Sequence, residues 1–339
     1  MSIYLPAEWA PQSAVQFTFP HEDSDWKDDL PEVIPCFVEC IEAVARYQKV
    51  LVVCREVEEV QAFLKDIPGE RLLLVEAPSN DTWARDHGGI TIFQNGQPVL
   101  LDFIFNGWGL KFPADRDNLI TGILYQQGIF SVSRLQPGGM VLEGGGIESD
   151  GQGTLLTTAS CMLSPNRNPH WDQQEIEDRL KELFGLDRVL WLYHGYLAGD
   201  DTDAHIDTLA RFCDAQTIAY VQCTDPNDEH FEALCQMEKE LQTFKTIDGK
   251  SYRLIPLPMP TACFDNEGHR LPATYANFLI INGAVLLPIY GVPEDDLAVA
   301  QLKTCFPNRQ IIPINCRSLI EQHGSLHCIS MQYPEGVIR

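Results

Sequence analysis

Short apolar or alternating runs recur along the chain, broken by Asn-Gly and Asp-Gly pairs and followed each time by a stretch of helical periodicity. Three hairpin signals stand out. Gly89–Phe93 faces Pro98–Leu101 across Asn95-Gly96, Ile147 faces Thr154–Thr157 across Asp150–Gly153, and Ala276–Ile281 faces Ala284–Leu287 across Asn282-Gly283. Asn-Gly and Asp-Gly tolerate the positive φ that tight antiparallel connections require, so each predicts a two-stranded ribbon. A fourth ribbon with weaker turn chemistry runs from His205 to Cys223 through Asp214-Ala215.

Helical patterns over 118–127, 171–184, 229–244 and 294–306 follow these ribbons, and short β runs at 140–142, 187–193, 252–257 and 310–314 follow the helices. The period shifts from 2 to 3.6 and back in a fixed order, which makes a ββαβ unit. A fifth unit assembles from both ends of the chain. Cys328–Met331 pairs with Ala14–Thr18, a helix over 32–47 and a strand at Val50–Val53 complete it, and 56–64 with 72–75 form an insertion. Five units with joined ends predict a closed ring without open sheet edges. The expected fold class is therefore α/β, a pseudo-symmetric ring of five ββαβ units closed by the N- and C-terminal strands, in a single domain over 1–339. The alternative is an ordinary α/β sheet.

Charge narrows the partners. The 339 residues carry 24 Lys+Arg against 48 Asp+Glu, a formal net of -24. Such a chain repels nucleic acid and anionic lipid and attracts small cations. The longest apolar stretch, Phe278–Pro288, is interrupted by Asn282-Gly283 and too short to span a bilayer. The segment MSIYLPAEWAPQ has neither the basic nor the apolar region of a signal peptide. Eleven cysteines without a CxxC pair read as reduced thiols rather than a zinc ribbon or a disulfide framework. The expected location is the cytoplasm. A homo-oligomer is compatible with the sequence but not specified by it.

Polar residues mark the entrance to each hairpin: Asp86, Glu143, the pair His205 and Asp207, Asn277, and His327-Cys328. In a ring these junctions converge on one mouth, where carboxylates, an imidazole, an amide and a thiol would be costly to gather without a purpose. Each has a plainer reading. Most cysteines are buried and inert, and His205 with Asp207, two apart, lie on one face of a regular strand as a simple ion-pair neighbour would. A zinc site from His, Asp and Cys is weakened by the lack of a second ligand at a recognised spacing. Gly144-Gly145-Gly146 lacks the context of a phosphate loop and reads as close backbone approach at a strand end. Trp108 reads as core, whereas Trp83, three residues before Asp86, suits a wall over a bound cation.

In this order the motifs resemble the agmatine deiminase and bacterial peptidylarginine deiminase-like family of guanidine-modifying enzymes. The resemblance runs through Leu5-Pro6-Ala7-Glu8-Trp9, Asp81–Asp86, Leu142–Gly145, Thr157-Thr158 with Asn166–Pro169, Gly199–Thr202 with His205–Asp207, Tyr275–Phe278 and His327-Cys328. Two places depart from the family pattern, Asp86-His87-Gly88-Gly89 and the His323–Leu326 segment before His327. Neither falls on a presumed catalytic residue, and both bear on pocket shape.

The resemblance implies a five-bladed α/β propeller and a covalent thiol mechanism without metal or organic cofactor. Asp86 and Asp207 would grip a planar guanidinium, Cys328 would attack its carbon, and His205 would protonate the leaving nitrogen and then activate water. Trp83, Glu143, Asp201 and Asn277 would meet or orient the substrate. The implied reaction is agmatine to N-carbamoylputrescine and ammonia. Alternatives are deimination of peptidyl arginine or another guanidine, amidino transfer to an amine, a zinc hydrolase, and a non-catalytic ring that binds cationic ligands.

Overall fold

The computed structural model describes residues 2–132 and 134–338. Among them five separate sheets form, and each repeats one arrangement: an antiparallel pair of strands, one of which takes a parallel neighbour on its other side. Strands Ile90–Gln94, Gln97–Ile104 and Leu135–Val141 make the first, with Ile3–Tyr4 added antiparallel at its edge. Ile147–Ser149, Thr154–Thr158 and Arg188–Leu192 make the second. Ala210–Asp214, Thr217–Gln222 and Arg253–Pro258 make the third, and Leu279–Ile281, Ala284–Ile289 and Gln310–Asn315 the fourth. In the fifth, Ser330–Pro334 pairs antiparallel with Gln12–Thr18, which runs parallel to Lys49–Cys54 and, beyond it, Leu72–Glu76. The two ends of the chain therefore share one sheet.

Each parallel crossover carries a helix: Ile120–Gln126, Gln173–Phe184, Phe231–Thr243, Asp295–Cys305 and Leu30–Ala45. Parallel neighbours need such a crossover, and the helix covers one face of the sheet. Gln173–Phe184 shows how local signals set the ends. Asp172 and Glu175 close a reciprocal capping box, and Gly185 at φ 67° ends the helix in the left-handed region. At the Asn282-Gly283 and Asn95-Gly96 turns, Gly283 (φ 76°), Asn95 (φ 52°) and Gly96 (φ 77°) adopt the positive φ that the sequence called for. Among the described residues no helix is long and apolar enough to cross a membrane.

Three expectations change. The run at 140–142 is the end of a longer strand, Leu135–Val141, whose register shifts between Asp102 and Ile104 on its neighbour. Cys328 precedes its strand, which starts at Ser330. His205 and Asp207 do not share a strand face: His205 caps a single 3₁₀ turn over Ile206–Thr208, and the strand begins only at Ala210. Local hydrogen bonds account for this. Thr202 Oγ1 accepts from His205 N at 2.9 Å, Asp200 accepts from Ala204 N at 2.7 Å, and Asp203 and Ala204 both take positive φ. The chain is thus turned inward before the strand starts.

Candidate active site

The polar junction residues stand just before the first strand of each unit, in the short turns where the backbone leaves one unit and enters the next. Asp86 lies in the turn Ala84–His87, Glu143 immediately before the 3₁₀ turn Gly144–Gly146, Asp207 inside its own turn, Asn277 two residues before Leu279, and Cys328 two before Ser330. All five, with His205, are buried.

Gly145 shows how tightly they converge. A Cβ at this position would lie 2.6 Å from His205 Nδ1, 2.9 Å from Asp86 Oδ1 and 3.1 Å from Asp207 Oδ2. Only glycine fits among three titratable side chains at these distances, and its N–H donates to Asp86 Oδ1 at 3.0 Å. The second oxygen of Asp86 accepts from Trp108 Nε1 at 3.0 Å. Trp108 therefore belongs to the site rather than simply to the core, and it takes the left-handed backbone conformation (φ 54°, ψ 48°) in doing so. Burial, together with the charges of Asp207 and Glu143, raises Asp86 to about 6 although His205 pulls the other way.

His205 lies 3.6 Å from Asp86 through Nδ1 and 3.9 Å from Glu143 through Nε2. Neither ring nitrogen has a hydrogen-bond partner among the described residues. Burial alone would depress its pKa, but the surrounding Asp86, Cys161 and Glu143 hold it well above the ordinary imidazole value. Glu143 itself is engaged by Arg167, whose Nε reaches both carboxylate oxygens at 3.0 and 2.9 Å. Arg167 also bonds Asp203 at 2.6 Å.

The Cys328 thiol faces Asn277 Oδ1 at 3.4 Å and Asp207 Oδ2 at 3.9 Å. Asn277 Oδ1 also accepts from the backbone N–H of His327 at 2.9 Å, so one amide oxygen fixes the turn and receives the thiol. Burial, then the neighbouring Asp207 and Asp86, push the thiol well up. An uncharged thiol is thus the form favoured while no cation is nearby.

A cavity of about 600 Å³, measured to its open mouth, ends at Cys328 and Asp86. Trp83, Trp108 and Phe112 supply aromatic wall, Asp25, Asp81 and Asp201 add acidic groups, and His323 and Gly324 line the rim. Trp83 is fixed by its indole N–H to Asp81 Oδ2 at 2.9 Å and by Gly324, where any Cβ would fall 2.1 Å from the ring. Glu143 and Asn277 are not among the residues that line the cavity, nor are His205 and Asp207; Glu143 stands 3.9 Å from His205 Nε2, and Asn277 Oδ1 3.4 Å from the Cys328 thiol.

Glu143, Cys161 and His205 bring ligand atoms within 4.8 Å of one another, the donor set of a small metal site. The Arg167 guanidinium already spans both Glu143 oxygens, which places a cation against the carboxylate a metal would need. Trp108, Arg167 and Cys161 were not singled out as site residues by pattern. Arg167 stands in the Asn166–Pro169 motif, the only sequence signal that pointed toward it.

Residues 4–334 match the Porphyromonas-type peptidyl-arginine deiminase family. The chain belongs to this family. Its members' chemistry is hydrolysis at amidine C–N bonds, the class of this enzyme. The agmatine deiminase of Stutzerimonas stutzeri is 33% identical over 99% of this chain and 96% of its own. A Porphyromonas gingivalis structure provisionally named an arginine deiminase is 53% identical with a TM-score of 0.96, covering 100% of both chains. A cysteine-to-serine variant of the C. jejuni agmatine deiminase, with substrate bound, is 38% identical with a TM-score of 0.93, over 99% of this chain and 97% of that one. The α/β fold is the one these structures share.

Proposed function

We propose that the protein is an agmatine deiminase that converts agmatine and water to N-carbamoylputrescine and ammonia through a covalent cysteine intermediate. One observation carries the reading: the Cys328 thiol sits with Asp86 at the floor of an acidic, aromatic-walled cavity, 3.9 Å from a second carboxylate, Asp207. Two carboxylates flanking a thiol suit a planar cation whose carbon is to be attacked.

In this mechanism the arriving guanidinium offsets the negative charges that keep Cys328 protonated, and the thiol releases its proton to solvent, which leaves a thiolate. Sγ adds to the guanidinium carbon. His205, held protonated by its acidic neighbours, gives its proton to one terminal nitrogen, and the C–N bond breaks to release ammonia. The remaining amidino group stays bound to Sγ. Neutral His205 then takes a proton from water, whose oxygen adds to the same carbon, and collapse breaks the C–S bond and restores the thiol. The free ring nitrogens of His205 suit a group that exchanges protons twice per turnover. Asp201, Asp25 and Asp81 serve the distal ammonium, and Trp83 covers the chain between.

The same reading takes the five sheets as blades of one pseudo-symmetric propeller in a single domain over 1–339. Convergence of residues from all five unit junctions on one centre supports it.

The Porphyromonas gingivalis neighbour's name favours a second reading, free arginine as substrate. Among the described residues no Lys or Arg lines the cavity, which leaves an α-carboxylate only Thr202, Gln322 and His323 to meet beside the carboxylates of Asp25, Asp81 and Asp201. Ammonia release from agmatine, free arginine and an arginine peptide tests the choice. Agmatine is expected to have by far the highest kcat/KM, and an equal or higher value for arginine would overturn it.

A further inference from the structure

The turn Gly107–Leu110, which carries Trp108, has positive φ at four successive residues: Gly107 (68°), Trp108 (54°), Gly109 (82°) and Leu110 (68°). Two of these are not glycine, and a left-handed backbone is unfavourable for a residue with a Cβ. Leu110 is exposed and gains no core packing in return. A turn of this kind persists where bonds to its surroundings hold it. Inside it, Asn106 Oδ1 accepts from Gly109 N at 2.9 Å. At its start Asn106 Nδ2 donates to Asn166 O at 2.9 Å. At its end Lys111 Nζ donates to Asp201 O at 2.6 Å and to Asp203 Oδ1 at 2.7 Å.

We propose that Lys111 is a positioning residue for substrate binding: it ties the Trp108 turn to the loop 200–204, so that the indole N–H stays on Asp86. This deepens the deiminase reading, on which it rests for the identity of the substrate.

The two sides of this bridge are not equally secure. Loop 200–204 has fixings of its own. Arg167 Nη1 bonds Asp203 Oδ2 at 2.6 Å and its Nη2 donates to Thr202 O at 2.9 Å. Asp200 accepts from the Thr202 hydroxyl and from Ala204 N, and Thr158 Oγ1 donates to Ala204 O at 2.7 Å. Burial pushes the Asp203 carboxyl up, but Lys111 and Arg167 outweigh it and hold the group below the usual carboxylate range. Without Lys111, Asp203 keeps Arg167, and His205, which follows the loop, keeps its place. The strained turn is the side that loosens. Asp86 then loses the fixed donor on Oδ2, whereas Cys328 and His205 retain their neighbours, so binding suffers and the chemical step does not. The charge of Lys111 acts in the opposite sense. Its ammonium stands against Asp203 and beside Asp201 of the acidic cavity, so a purely electrostatic role predicts tighter binding of a dication once it is neutralised. The sign of the change in KM therefore separates positioning from charge.

The test uses the full chain and compares the parent, Lys111→Met, Trp108→Phe and the double variant with agmatine. Methionine keeps the length of the side chain and removes its charge and donors. Lys111→Met is expected to raise KM by roughly fivefold, the upper end for a partly exposed charged pair, with kcat nearly unchanged. An unchanged or lowered KM overturns the proposal, as does a loss confined to kcat. In the Trp108→Phe background, where the N–H is already gone, the same replacement is expected to raise KM by less than about twofold. An equal rise in both backgrounds overturns the link to Trp108. In the substrate-free, ¹⁵N-labelled protein the Trp108 indole signal, identified by its absence in Trp108→Phe, is expected to shift and to exchange faster with solvent in Lys111→Met. An unchanged signal overturns the proposal, whatever the enzyme turns over. Absence of agmatine turnover in the parent would sink the deiminase reading alone, since the indole signal still decides the bridge.

Discussion

Trp108 donates its indole N–H to Asp86 Oδ2 at 3.0 Å, while the Gly145 N–H meets Oδ1 of the same carboxylate at 3.0 Å. Asp86 is thereby held in one plane at the cavity floor before any ligand arrives, and the aromatic ring that holds it also lines the cavity. Such preorganisation lowers what binding must spend on orientation. Trp108→Phe keeps the ring and deletes the donor. We expect a folded enzyme with raised KM and an acid limb of kcat/KM displaced upward, since an N–H that stabilised the carboxylate is gone. An unchanged pH profile would show that the indole bond does not set the ionisation of Asp86.

The pH profile of the parent enzyme follows from the same carboxylate. Asp86 must be ionised to hold a guanidinium, and its pKa stands near 6 because it is buried beside Asp207 and Glu143. The sign is that of a base lost on acidification: kcat/KM falls as pH drops through about 6. A steady-state profile flat down to pH 4.5 would contradict this.

Asp86→Asn and Asp207→Asn keep shape and remove charge. Losing one member of a buried charged hydrogen bond costs about 2–5 kcal/mol, so each variant should fold and lose most of its kcat/KM. Near-normal turnover in a cooperatively melting variant would take that residue out of the site.

Cys328→Ser should abolish turnover, because among the described residues no base strong enough to ionise a serine hydroxyl adjoins Sγ. Acid-quenched parent enzyme with agmatine should carry an amidino adduct on Cys328 and on none of the other ten cysteines. His205→Asn should accumulate the adduct if attack still proceeds. Metal-independent turnover by Cys328→Ser would exclude the covalent mechanism, and turnover that requires metal would point to zinc chemistry.

Two glycines predict opposite outcomes. Gly145→Ala drives a methyl into His205 and Asp86 and should cost about 1–3 kcal/mol in stability, with severe loss of activity. Gly122, inside the helix Ile120–Gln126 with nothing within 4 Å of a Cβ, should gain roughly 0.5–1 kcal/mol on replacement by alanine. Thermal melts of the two variants check both, and a stabilised Gly145→Ala would show that the cluster can relax.

Much of this molecule was legible in one dimension. Asn95-Gly96 and Asn282-Gly283 marked hairpins because a positive φ is a local property of the residue, and helix 173–184 could be read from its apolar spacing, with its ends agreeing to within two residues. The polar entries Asp86, Glu143, Asp207, Asn277 and Cys328 stood out because each interrupts an apolar run at the same phase of a repeat. Other parts were not legible. The 3₁₀ turn at Ile206–Thr208 depends on side-chain bonds from Asp200 and Thr202, which hydrophobic periodicity does not encode. Trp108 read as core because its apolar bulk is visible in sequence, whereas the direction of its N–H is not.

The sequence by itself determined the order of strands and helices, the five-fold repetition of the unit and the residues that punctuate it, since propensity, turn chemistry and period are all carried by near neighbours in the chain. Only the tertiary structure decided which of those residues meet. Glu8 and His327 stand 319 positions apart, yet their side chains are 2.7 Å from each other, and Arg211 reaches both. Such contacts arise when separate sheets pack, and the burial that accompanies packing is also what shifts Asp86, His205 and Cys328 from their ordinary protonation.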